Sequence, residues 1–387
     1  MRLTTVLVAM TIATLPVFVC GAGESEGGHA VEAQHMRVYY EAGRFGGWPA
    51  NFGMWVWDNE ILVGYARGYY EDLGDRHHIN RDLPEEHWFA RSLDGGETWS
   101  LEHPAEKGQL IPRGASLHGV EKPGQPIPEL RECPGGIDFT HPDFALTVRM
   151  SCVHGSTPSR FYYSYDRGHN WEGPFLLPDV GTNGIAARTD YVVDGQHEAM
   201  LFMTAGKSNG REGRPFCMRT TDGGRTWEFV SWIMGEPEGF AIMPATVRLD
   251  EDTLLTTIRS REGDRRWISA FISRNNGESW EHLSDPVPDA GVGNPPALMI
   301  LEDGRLCLTY AVRRAPYRIC ARLSSDGGQT WTDEIVLRDD GNDRDIGYCR
   351  SVQRADGKVV TTYYINEQET GPERYIGATI WDPADIE

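Results

Sequence analysis

Ten polar or aromatic residues stand at the heads of strand-like segments in this chain, and between them they offer acid–base and anion-binding chemistry. They are Asp138, His141 and Asp143; Arg188, Asp190 and Tyr191; Asn294; and Asp345, Tyr348 and Arg350. Carboxylates and imidazoles transfer protons, a tyrosine oxygen can attack or donate, and guanidinium groups grip carboxylates through paired, charge-assisted hydrogen bonds. Each residue alone reads as a solvated strand end. Together they carry meaning if the fold brings them to one place, because polar groups with nothing to bind must be satisfied by each other or by water.

The elements that would have to position them announce themselves through repetition. Five copies of one pattern occur: SLDGGETW, SYDRGHNW, TTDGGRTW, SRNNGESW and SSDGGQTW. Their third residues fall at 94, 166, 222, 275 and 326, in steps of 72, 56, 53 and 51 residues. A period of about 40–50 residues with alternating strand patterns and Gly-rich turns marks a β-propeller, in which each repeat is one four-stranded blade. Blades are expected at 49–102, 138–178, 187–233, 242–283 and 295–337. A Pro/Gly-rich insertion at 106–132 lengthens the first step. The final segment supplies YCRSVQR, KVVTTYYI and RYIGATIW without a sixth box, so its fourth strand is expected from His35 to Ala42, closing a six-bladed, all-β ring with no open edge. In such a ring the heads of the innermost strands, and hence the ten residues above, line the mouth of one central channel.

The repeat S-x-D-x-G-x-T-W resembles the Asp-box of the sialidase superfamily, also called the BNR repeat. In that family the box lies on the face away from the active site, so Asp94, Asp166, Asp222 and Asp326 are expected to be structural. The short acid accepts hydrogen bonds from a tight turn that glycine makes possible.

The resemblance also implies site residues. Tyr348 stands eight residues before Asp356-Gly357, as the family's nucleophilic tyrosine does. A neutral nucleophile suits an anomeric carbon that bears a carboxylate, which would repel Asp or Glu. Arg259 holds the position of a carboxylate-binding arginine, with a second expected among Arg313, Arg314 and Arg318. Asp82, nine residues before Arg91, matches the acid/base, although His77, His78, Glu85 and Glu86 share its loop. Two departures stand out. Met243 replaces the glutamate that normally takes the tyrosine proton, leaving Asp345 or Asp190 as the base, and Gly47-Trp48-Pro49 replaces the opening Arg-Ile-Pro, leaving Arg44 or Arg67 as substitutes. Arg188, Asp190 and Arg350 complete the expected binding set.

Composition limits the alternatives. A net charge of −20 opposes nucleic acid and anionic membranes as general partners. Residues 1–22 read as a secretory signal peptide, 23–34 as a flexible leader, and 35–387 as a single propeller, secreted or periplasmic and monomeric. Cys133, Cys152, Cys217, Cys307, Cys320 and Cys349 would remain after cleavage, either as disulfides or as buried thiols; Cys307 and Cys320 flank a hairpin turn. No spacing suggests a metal, and no cofactor is implied. The leading expectation is an exported sialidase-like glycoside hydrolase acting on terminal anionic sugars. A uronate lyase using His141 with Tyr191 or Tyr348, and a glycan-binding propeller without turnover, remain open.

Overall fold

The computed structural model of the chain describes residues 28–110, 129–150 and 158–386. The segment expected to be a signal peptide, Cys152 and most of the 106–132 insertion lie outside the described residues. Six antiparallel sheets surround one axis. In blade one, Glu60–Tyr69, Glu86–Ser92 and Ser100–Glu102 follow an inner strand split into Arg44–Gly47 and Met54–Trp57. Blade three likewise has a split inner strand, Asn183–Ala186 and Tyr191–Gly195, while blade four is a plain meander from Phe240 to Val287. Blade five runs from Ala297 to Gly341. Blade six takes Gly347–Gln353, Val359–Ile365 and Tyr375–Trp381 from the end of the sequence and Ala33–Tyr39 from its start, with His35 opposite Thr379.

The leader departs from expectation. Gly28–Ala30 is a strand, paired in parallel with Glu334–Val336 on the rim of blade five. An outer strand presents unpaired N–H and C=O groups, and this segment covers some of them. Blade two departs more: among the described residues it has three strands, Ala145–Arg149, Arg160–Ser164 and Glu172–Leu176, and no inner one. Residues 136–143 instead make turns braced on the neighbouring blade, the Gly136 and Ile137 N–H groups donating to the carbonyls of Asp222 and Gly223.

All five boxes share one hydrogen-bond pattern. The leading Ser or Thr hydroxyl accepts the N–H of the residue four positions on, at 2.7 Å for Gly96 and 2.9 Å for Gly168, Gly224, Gly277 and Gly328. The Asp or Asn side chain accepts a backbone N–H four residues later, from Thr98, Asn170, Thr226, Ser279 and Thr330. The acids are thus spent on closing their own turns.

The five described cysteines are buried and free. Cys307 faces Leu323 and Cys320 faces Tyr310 across the ladder, so the two do not meet.

Replacing Asp222 by Ala removes two hydrogen bonds from Thr226 and one from Thr220 and should cost about 1–3 kcal/mol of stability. Turnover by the folded fraction should be unchanged; a stable but inactive variant in a denaturation and activity comparison would refute the structural assignment. Acid should act on the same turns. Burial opposes it, but hydrogen bonds from Thr226 and Thr220 hold the Asp222 carboxyl below its ordinary value, and equivalent bonds do so at Asp94, Asp166 and Asp326. Their contribution is present above the unfolded value of about 3.9 and lost as pH falls through the lower folded values, so melting temperature should drop between about pH 5 and 2. Asn275 already lacks the charge, and Asp222→Asn should reduce that acid sensitivity.

Candidate functional site

The innermost strand is interrupted near the channel mouth in four blades, and the interruptions present the polar side chains. In blade one the turn Pro49–Phe52 separates the two inner segments and Trp48 has φ of 60°. In blade three, residues 187–190 do the same and carry Arg188 and Asp190. In blade four the register slips between Ile242 and Ala245, with Met243 at φ 57°; in blade six it slips between Gly347 and Arg350, with Tyr348 at φ 52°. A left-handed backbone at bulky residues costs of order 1–3 kcal/mol each and persists where the surroundings enforce it. For Tyr348 the enforcer is Asn294, fully buried, whose Oδ1 accepts the Tyr348 N–H at 3.0 Å while its Nδ2 donates to the Ile346 carbonyl at 2.9 Å. Gly347 is required beside it, since a Cβ there would lie 2.3 Å from the Asn294 amide.

Tyr348 is 4% exposed and sits among residues from four blades. Arg259, in the second strand of blade four, brings Nη1 to 3.5 Å from the Tyr348 hydroxyl. Arg313, just past the second strand of blade five, holds its guanidinium carbon 5.4 Å from the centre of the Tyr348 ring. Tyr364 of blade six and His77 of the blade-one loop stand edge-on to that ring, at 5.8 and 5.9 Å between centroids.

Among the three arginines left open by the sequence, the fold separates Arg313 from the others. Arg314 pairs with Asp289. Arg318 lies across the hairpin from Val312 and turns to Glu334 of the outer strand, 2.5 Å away, so the expected substrate arginine at 318 is instead a structural ion pair.

Asp345 is not a base for Tyr348. Its carboxylate, 3% exposed, bonds His77 Nδ1 at 2.6 Å and the His78 N–H at 3.0 Å, accepts the Tyr364 hydroxyl, and has Arg313 at 3.7 Å. Burial would raise its pKa, but His77, Arg313 and Arg374 beside it override that and hold it far below the carboxylate range. An acid so firmly ionised is a poor proton acceptor; what it does is orient His77. Burial in turn lowers the His77 imidazole below its ordinary value, against the pull of Asp345.

Asp190 is the opposite case. Its Oδ1 accepts the Thr246 N–H at 3.3 Å, its Oδ2 is buried without a partner, and burial pushes its pKa up to about 7. With Arg188, Thr204, Met243 and Arg350 it lines a cavity on the axis. Arg188 bonds Glu212 at 2.5 Å, and Arg350 donates to the carbonyls of Ala50, at 2.8 Å, and Thr189, tying blade six to blades one and three.

The blade-two group falls elsewhere. Asp143 pairs with Arg167 of an Asp-box at 2.6 Å, Asp138 bonds Thr140 and Gln196, and His141 packs on Tyr165, so without an inner strand these residues cap the box face rather than the mouth. Asp82 is exposed, and its described contact is the Asn80 side chain on its own N–H. Its neighbour Arg81 is the residue that turns inward, over the Trp48 ring at 5.1 Å. Of the proposed substitutes for the missing first arginine, Arg44 lies over Tyr69 and Arg67 pairs with Glu41 and Glu86. Tyr364 and Arg374, both buried in the Asp345 cluster, carried no spacing signal in the sequence. The mouth therefore gathers Arg188, Arg259 and Arg313 around one tyrosine, with two carboxylates in contact, Glu212 at Arg188 and Asp345 at Arg313, inside a chain of net charge −20. Among the described residues no three His, Cys, Asp or Glu side chains are grouped to hold a metal, and no helix is long and apolar enough to cross a membrane.

The fold has counterparts among known proteins. None of the curated proteins compared matches the sequence. A crystal structure of a protein of unknown function from Dyadobacter fermentans is similar over 90% of this chain and 97% of its own, with a TM-score of 0.66 and 17% identity. A sialidase from Streptococcus pneumoniae superposes with a TM-score of 0.54 over 91% of this chain and 71% of its own, at 12% identity. An α-L-arabinanase from Penicillium chrysogenum, solved with arabinobiose, gives 0.56 over 91% and 99%, at 13% identity. These likenesses are of fold. The sequence pattern of the BNR repeat-like domain matches residues 144–361, more than half of the chain, and with its five Asp-boxes and six-bladed ring the chain belongs to that family.

Proposed function

We propose that the protein is an exported glycoside hydrolase that removes a terminal sugar bearing a carboxylate. The observation that carries this reading is Tyr348 set between Arg259 and Arg313, three groups from three blades around one point. Arg259 and Arg313 bind the carboxylate through charge-assisted hydrogen bonds, which fixes the anomeric carbon over the tyrosine oxygen. Tyr348 attacks or stabilises that carbon, and a neutral oxygen does so without repelling the neighbouring charge. The tyrosine proton passes to His77, which Asp345 orients from behind as an acid orients the histidine of a base pair. Asp82 or another acid of the same loop protonates the leaving oxygen. Burial pushes the Asp190 pKa up to about 7, so its carboxyl can present a proton donor to the water-sized axial cavity beside the bound sugar. Cleavage of residues 1–22 during export would put this chemistry outside the cytoplasm, with the protein acting as a monomer.

A second reading has one observation in its favour. Met243 stands where a glutamate is expected, and no carboxylate among the described residues bonds the Tyr348 hydroxyl. A lyase would use the same arginines to neutralise a uronate while Tyr348 or His77 removes the adjacent proton; a lectin would use them for binding alone. Incubation with a panel of anionic glycans separates the three by product mass, since hydrolysis adds water, lyase action leaves an unsaturated sugar, and a lectin leaves the panel intact.

Tyr348→Phe should lower turnover by at least a hundredfold with the fold unchanged, because only the oxygen is lost. Arg259→Ala should weaken binding of carboxylate-bearing sugars by about 1.5–3 kcal/mol and leave neutral sugars unaffected. Normal turnover by the Phe variant would end the proposal. The pH profile tests His77 separately. Because burial lowers its pKa, the neutral, proton-accepting form persists below the ordinary value of about 6.5, and the acid limb of kcat/KM should lie below that value. His77→Gln should lower kcat and abolish that limb; a limb above pH 7 in the parent would exclude His77 as the acceptor.

A further inference from the structure

We infer that the blade-four hairpin, Leu254–Glu262 with Arg265–Ser273, forms a second anion subsite next to Arg259, so that the glycan taken by the mouth is a chain with repeated anionic groups. This rests on the reading of the mouth as a carboxylate site and extends it outward.

Alternate residues of a strand share a face, and the register of this sheet fixes which side chains stand together. Arg259 is flanked by Ile242 and Ile268; one step further out, Arg261 is flanked by Phe240 and Arg266. Arg259 and Arg261 therefore lie on one face about 7 Å apart along the strand. Both guanidiniums lie beside the same ring, 5.6 and 5.9 Å from the centre of Phe240. Arg266 continues the row, since a Cβ at Gly293 would meet Arg259 Nε at 3.4 Å and Arg266 Cβ at 3.6 Å.

Of the hairpin's acids, Asp264 lies in the turn and acts on Arg266 from a distance, while Glu262 is on the other face. Glu262 stands opposite Arg265, and Arg265 pairs with Asp285 at 2.6 Å while covering Trp267. The face shared with Arg259 thus carries three arginines, and no carboxylate of the described residues comes within ion-pair distance of Arg261 or Arg266. Arg266 spends two donor contacts on the carbonyls of Gly263 and Arg265. Like charges directly opposite on neighbouring strands destabilise a sheet, and burial and Arg261 lower the Arg266 pKa against the smaller opposing pull of Asp264. A chain with net charge −20 has acids in plenty to neutralise such a pair. Leaving it open next to Arg259, over an aromatic ring, suits an incoming anion, with the ring available to a sugar face. The anionic group is a carboxylate or a sulfate on the sugar following the terminal one. Nucleic acid is disfavoured by the repulsion of the remaining surface.

The test compares chain lengths on the intact protein. Calorimetric binding at low salt is measured with galacturonic acid and its hexamer, and with a sulfated galactose and a sulfated galactan hexamer as the carboxylate-free arm. The hexamer that fits should bind at least tenfold tighter than its monomer, with a steeper salt dependence. Arg261→Ala combined with Arg266→Ala should remove that gain and leave monomer affinity and melting temperature unchanged, and the Lys pair should keep most of it. Preference for the sulfated arm would identify sulfate as the second group, preference for the uronate arm carboxylate. A hexamer bound no tighter than the monomer, or a gain that survives the Ala pair, overturns this subsite alone. Failure of every anionic sugar, with Arg259→Ala without effect, overturns the reading of the mouth itself.

Discussion

The Asp345 carboxylate takes hydrogen bonds from the His77 ring and the His78 N–H of blade one and from the Tyr364 hydroxyl of blade six, with Arg313 of blade five and Arg374 of blade six within 3.8 Å. Three blades thus meet on one buried charge. Removing an ion from water costs several kcal/mol unless its new surroundings supply charge and hydrogen bonds, and here they do so from every side. The dependence runs both ways. Without the carboxylate, Arg313 would be a buried cation with the Ile346 carbonyl and the Tyr364 hydroxyl for company, Arg374 would keep Asp343 as its counter-charge, and His77 would lose the group that sets its ring edge-on to Tyr348. The geometry around the tyrosine is in that sense secondary to an acid that does not touch its hydroxyl.

A second constraint comes from the pleat. An unbroken strand sends alternate side chains to opposite faces and gives the axis little beyond backbone. By slipping register at Met243 and at Tyr348, and by inserting short turns after Trp48 and around Arg188, the inner strands re-aim single side chains without disturbing the ladders behind them. Bulges next to functional sites commonly do this. Met243 shares the backbone conformation of Tyr348 at the corresponding place two blades away, yet contributes a thioether where the chemistry inferred for the family wants a carboxylate. The scaffold for that group is retained while the group itself differs.

The architecture was legible because an Asp-box is local: Ser, Asp, Gly and Trp within eight residues close their own turn, so the pattern survives in sequence wherever it occurs. Tyr348 can be singled out for the same reason, lying at a fixed distance from the Asp356-Gly357 turn, and Arg259 by its spacing of sixteen residues from Met243 within one hairpin. Arg313 could not be separated from Arg318, since a difference of one pleat decides which side of a hairpin a residue serves, and sequence does not print register. Strand-head position puts Asp138, His141 and Asp143 at the mouth only if every blade has an inner strand, and blade two has none among the described residues. The pairing of His77 with Asp345 spans 268 residues and leaves no periodic trace. Nor did the leader reveal that Gly28–Ala30 would find an edge to cover, a short run of small and polar residues having no strand signature of its own.

Ala33–Tyr39 completes the sheet that ends with Tyr375–Trp381, so strands at the two ends of the sequence share one ladder. During synthesis the first of these emerges from the ribosome long before its partner exists. Until the last blade is made, the ring is a crescent with two raw edges, the state in which strands most readily pair with the wrong chain. Closure is the most non-local contact of the molecule and, by the cost of bringing distant segments together, among the slowest to form. Arg259, Arg313 and Tyr348 belong to the closing half of the crescent and come into register as blade six docks, so a nascent chain has a tyrosine and its arginines but no mouth. Assembly of the site and completion of the ring are one event.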